Sequence, residues 1–129
     1  MPSRLLAAAL SLNRVGFGLA YMLAPARAGR GWIGRASRDP ATQVFIRGHG
    51  GRDLVLGAGS LVLLARGESW LARRCLAAQA VVDGIDVVST VAAHRRLPKK
   101  GYRFALFMAS LSTASGAATS VLLGRGSRR

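Results

Sequence analysis

Three of the five acidic residues, Asp53, Asp83 and Asp86, lie inside long apolar stretches. Arg14 and Arg52 do the same, and Arg47 and His49 stand nearer one end of a stretch. Carboxylates and guanidinium groups in such surroundings do one of three things: they pair with each other, relay a proton, or bind an ion or polar ligand. Each costs about 2.5 to 3.5 kcal/mol at a helix centre in lipid, so a chain that carries several must pair or hydrate them. The arginines and aspartates balance in number, which predicts a buried charge network of Arg14, Arg47, Arg52, Asp53, Asp83 and Asp86.

Helical spacing places further polar residues around this network. Gln79, Asp83, Asp86 and Thr90 are four, three and four positions apart and share one helix face. Arg14, Gly18 and Tyr21 share another by the same count. Gln79, Thr90, His49 and Tyr21 are therefore the secondary polar candidates. Ser112, Ser115, Gly116 and Thr119 form a small, weakly polar stripe, and Gly50 with Gly57, and Gly51 with Ala58 and Ala65, recur at heptad spacing. Small faces of this kind let membrane helices approach closely.

A near-balanced charge count favours a static staple that fixes helix register over a proton, ion or small-ligand site, and both over an enzyme. In the staple, Asp53 is expected to meet Arg14 or a polar group of the third stretch, and Arg52 to reach Asp86. Asp83→Asn is then expected to lower stability, and arginines on both Asp83 and Asp86 are expected to leave the site dry. Other constellations are weaker. Gly29-x-Gly31-x-x-Gly34 matches a dinucleotide fingerprint literally, but that motif needs a preceding strand, and here it follows a helix and a proline. His49, His94 and Cys75 lack metal-ligand spacing. There is no serine–histidine–acid signature, and nothing calls for a cofactor.

The elements that must hold these residues follow from composition. The chain has 129 residues, half of them apolar, with positive mean hydropathy and a formal charge of +14. That length suits one domain. The charges punctuate long apolar runs instead of dressing a modest core, which points to a membrane protein and away from a nucleic-acid binder. A bilayer core of about 30 Å needs roughly 20 helical residues. Four stretches qualify, near 5–23, 44–65, 70–93 and 103–123. The reading is all-α: one integral membrane domain over residues 1–129, a four-helix transmembrane bundle with a charged midplane, multi-pass in the cytoplasmic (plasma) membrane. A basic loop near 25–42, a short turn at 66–69 and a second basic loop at 94–101 join the stretches, before a basic tail at 124–129.

Tyr21, Trp32, Trp70 and Tyr102 fall at or near the stretch ends, where aromatic rings prefer the water–lipid interface. A secretory leader with cleavage after Ala26-Arg-Ala28 is the rival reading of the first stretch, but Asn13 and Arg14 break its apolar run. Lysines and arginines divide almost evenly between the two sides, so the positive-inside rule gives no orientation. Alternating topology sets Arg14, Asp53 and Asp83 near one depth, with Asp86 about 4.5 Å nearer the side of Arg47, His49 and Arg52. The expected partners are the lipid bilayer and, for the basic loops, anionic head groups, with a homo-oligomer or larger membrane complex also open. Cys75 stands alone and reports no redox compartment.

The segment Gly50-Gly-Arg-Asp-Leu-Val-Leu-Gly57 resembles the Gly-x-Arg-Asp-x-x-x-Gly signature of small, mostly actinobacterial integral membrane proteins, a domain-of-unknown-function family distantly similar to DoxX-like proteins. The layout extends over nearly the whole chain. An Ala-Pro corner at Leu23-Ala-Pro25, Arg14-x-Gly16 in the first helix and an aspartate in the third, Asp83 or Asp86, are its other points. The resemblance implies a four-helix membrane fold and brings no established activity. The expectation from all these observations is a non-enzymatic accessory subunit or small carrier. The alternatives are a DoxX-like component of a quinone-linked membrane redox system, and a proton- or ion-coupled small transporter. The lack of paired histidines at one depth argues against haem.

Overall fold

The computed structural model describes residues 2–126, with side chains for 3–124. Among the described residues every regular element is helical. Four are long: α1 (Pro2–Leu23), α4 (Pro40–Ala65), α5 (Ser69–Ala92) and α6 (Lys99–Gly126). At about 1.5 Å per residue these helices run roughly 33 to 42 Å. Three of them hold a segment long and apolar enough to cross a membrane: Ser3–Leu23, Ser69–Ala92 and Lys99–Gly124. Helix α4 does not reach that composition, because its first half carries Arg47, His49, Arg52 and Asp53. The last three residues of the basic tail, 127–129, lie outside the described residues, and α6 continues through Gly126.

The helix ends have local causes. Pro25 follows Ala24 and cannot continue the hydrogen-bond ladder of α1. Asp39 caps α4, accepting from the Thr42 backbone N–H at 2.8 Å, and Pro40 occupies the first helical position, where its missing N–H costs nothing. Gly67, at φ +79°, makes the turn between α4 and α5.

The segment read as a basic loop near 25–42 is in fact mostly helical. It forms α2 (Pro25–Ala28), α3 (Arg30–Ile33) and a 3₁₀ turn over Gly34–Arg38. Tertiary contact organises it, since α3 lies on the start of α6 and Gly101 packs directly on the Trp32 carbonyl. Gly34, at φ +65°, sits against the Pro98 ring. The glycines that resemble a dinucleotide fingerprint thus lie in a helical connector with no strand before it.

Helix α1 packs on α4 and α5 on α6, and the two pairs join through α4–α5 and α1–α6. The α1–α4 contact is the closest. A Cβ on Gly18 would come 2.7 Å from the Leu54 nitrogen, one on Gly50 2.7 Å from the Gly18 carbonyl, and one on Gly57 2.8 Å from the Ser11 carbonyl. Arg4 donates to the Leu64 carbonyl at 2.6 Å, completing an antiparallel register. Gly51, by contrast, has open space where a Cβ would go, so this glycine of the second small-residue face is not needed for a close approach. A small apolar core of Ala7, Leu64, Ala72, Leu76 and Leu123 fills the end of the assembly remote from the connector.

Candidate functional site

Helix α1 delivers one polar side chain to the middle of the assembly. Arg14 is 9% exposed, and its guanidinium engages three other helices at once. One terminal nitrogen donates to Asp53 of α4 at 2.8 Å. The other donates to Asp83 of α5 and, at 3.1 Å, to the Ser112 hydroxyl of α6. Ser112 in turn donates to Asp83 at 2.6 Å, closing the ring. A guanidinium suits this position because its donors form a planar fork that serves two carboxylates from fixed directions.

A second pair lies beside the first. Arg52 donates to Asp86 at 2.8 Å and is 3.4 Å from Asp53. The side chains of Arg52 and Asp86 are partly exposed, 29% and 21%, so this pair is less enclosed than the Arg14 cluster. His49 sits one turn before Asp53, with its Nε2 3.7 Å from that carboxylate. Its Nδ1 lies 3.1 Å from Arg52 Nη2. Arginine offers no acceptor, so His49 meets it as a neutral imidazole. The Tyr21 ring meets His49 edge-on with centroids 5.4 Å apart, and the Trp32 ring stands 5.5 Å away.

Not every candidate joins the network. Arg47 is exposed and makes no ion pair among the described residues. At about 100° per residue it is turned roughly 120 to 140° away from Arg52 and Asp53, so a suitable depth does not bring it inside. Gln79 is buried but serves a different contact, donating to Ser60 at 2.8 Å and the Leu56 carbonyl at 3.0 Å, which joins α5 to α4. Thr90 is buried on the same face without joining an ion pair. Ser112 and Trp32 belong to the site although the charge pattern did not single them out. Ser112 was visible only as part of a small stripe, and Trp32 only as a boundary aromatic.

The network is not sealed. A cavity of about 200 Å³ reaches it between α1 and α6. Asp53, Asp83, Asp86, His49, Gln79 and Thr90 are among the polar residues that line it, with Arg14. Phe17 of α1 and Phe104 and Leu111 of α6 also line it and are themselves substantially exposed, so the opening faces sideways, away from the ends of the helices. Arg14 and Arg52 do reach Asp83 and Asp86 respectively, and the cavity leaves this network open on one side. No group of three or more His, Cys, Asp or Glu side chains suited to a metal ion occurs among the described residues.

Comparison with known proteins supplies no relative: no family model, curated protein or solved structure matches the chain.

Proposed function

We propose that the chain is an integral protein of the bacterial cytoplasmic membrane, a transmembrane bundle in which all four long helices cross the bilayer. Its role is non-enzymatic, as an accessory subunit of a larger membrane assembly or a small carrier. The observation that carries this reading is the division of each long helix into an apolar outside and a polar inside. Leu12 and Leu19, Val55 and Val62, Val81 and Ile85, and Phe107 and Val121 are all exposed, whereas Arg14 of α1, Asp53 of α4 and Asp83 of α5 meet inside. Large apolar side chains turned outward on every long helix are stable in lipid and a liability in water. The hydropathy of α4 is lowered both by residues that face its neighbours, such as Gly50, Asp53 and Gly57, and by the exposed Arg47.

The Arg14 cluster acts in this reading as a fastener for the helices, and the exposed arginines of the connector, Arg27, Arg30, Arg35 and Arg38, meet anionic head groups. A proton- or ion-coupled transporter is the second reading, favoured by the cavity that touches Asp83, Asp86 and His49. The resemblance of Gly50–Gly57 to the Gly-x-Arg-Asp-x-x-x-Gly proteins agrees with the membrane fold and adds no activity.

Labelling of single cysteines tests the four-span topology. In a Cys75→Ser background, Arg38→Cys and Gly67→Cys bracket α4. If α4 crosses, a membrane-impermeant maleimide labels them from opposite sides of sealed vesicles. Labelling of both from one side would show that α4 does not cross and would overturn this topology.

A further inference from the structure

We propose that the cavity between α1 and α6 binds a lipid-soluble organic monocation, an alkyl- or arylammonium ion that enters sideways from the bilayer. The proposal rests on the membrane reading above, because the side opening gives onto lipid only if α1 and α6 are spans. Three observations point to such an occupant.

The first is charge. Asp53, Asp83 and Asp86 line the cavity against a single lining arginine, Arg14. Arg52 balances Asp86 without lining the space, and His49 is neutral where it meets Arg52. Three carboxylates against two arginines leave one formal negative charge facing the cavity, which matches one positive charge on a ligand. The second is aromatic content. Four of the eight aromatic residues of the chain, Phe17, Tyr21, Trp32 and Phe104, line this one space. Aromatic rings around an ammonium group stabilise it through their negative faces, and quaternary ammonium ions are recognised in this way.

The third is size and access. A dry cavity of about 150 Å³ accommodates benzene, so a space of about 200 Å³ has room for one ring and a compact cationic head. The described loops and helix ends are rich in arginine and lysine, and the chain carries +14 overall. That field repels cations approaching from water. A cation already dissolved in the bilayer avoids it and meets the apolar rim of Phe17, Phe104 and Leu111.

The test is calorimetric titration of the full chain in phosphatidylcholine nanodiscs, with empty discs as reference. The probes are benzyltrimethylammonium and its neutral isostere neopentylbenzene. Saturable one-to-one binding of the cation is expected, with the isostere at least about tenfold weaker. Ala109→Phe fills the α6 wall of the cavity without touching an ion pair and is expected to abolish the site. Asp86→Asn is expected to remove the preference for the cation over the isostere. Absence of saturable binding, equal affinity for the two probes, or unchanged binding by Ala109→Phe would each overturn the proposal. Failure of the membrane reading shows separately, as a chain recovered without discs or detergent.

Discussion

A guanidinium that holds two carboxylates on two helices does what a lysine in the same place cannot. Arg14 reaches Asp53 and Asp83 with different nitrogens and still meets Ser112. Arg14→Lys keeps the charge but offers a compact ammonium on a flexible stem, so it is expected to lower the melting temperature in detergent despite charge conservation. Ser112→Ala removes one hydroxyl bond to Asp83, at a cost of about 1 kcal/mol or somewhat more because the acceptor is charged. Arg14 also alters the expectation for Asp83→Asn. With Asp53 still bound to Arg14, that change leaves two arginines against two aspartates, so its effect is expected to be smaller than loss of Arg14 itself. Outside the spans, Asp39 has its carboxyl held below the ordinary aspartate value, chiefly by the Thr42 backbone N–H and then by its hydroxyl. A depressed folded-state pKa contributes stability above the unfolded value and loses it as pH falls through the folded one. Wild type is thus expected to melt slightly above Asp39→Ala near neutral pH, the difference vanishing in acid below the ordinary aspartate range.

Among the elements, the pair α1–α4 sets the geometry that the charges need. Gly18, Gly50 and Gly57 let the two backbones approach, and each leaves no room for a Cβ. Gly50→Ala is expected to push α1 off α4, stretch the Arg14–Asp53 pair and destabilise the protein. Gly51→Ala and Gly16→Ala, where a Cβ meets nothing, are expected to melt with wild type. Parallel melts of the three variants check this. Helices α1, α4 and α6 start three or four residues earlier than their apolar stretches. The C-terminal ends of α1, α4 and α5 and the pairing of Arg14 with Asp53 and of Arg52 with Asp86 were legible in the sequence, because both depend on position along a helix axis. Azimuth was not. Depth alone admitted Arg47 to the network and gave no reason to draw Ser112 towards Asp83. The connector was illegible for a different reason, since Trp32 is positioned by Gly101 and by the Gly34–Pro98 contact, neither of which local sequence encodes.

At the scale of the whole molecule, a strongly basic chain has gathered three of its five acids at one place and surrounded them with helices whose outer faces are apolar. Charges inside such an assembly hold it together only if each helix contributes to the same cluster, as α1, α4, α5 and α6 do at Arg14. The most direct measurement is the thermal melt of Arg14→Gln in detergent micelles, followed by circular dichroism, with Arg47→Gln as control. Removing Arg14 leaves two carboxylates without their principal partner, at a cost of about 3 to 5 kcal/mol by analogy with buried pairs in soluble proteins. Arg14→Gln is therefore expected to melt far below wild type, and Arg47→Gln to match it. An Arg14→Gln protein that melts with wild type would contradict the role of this arginine as the junction of the four helices.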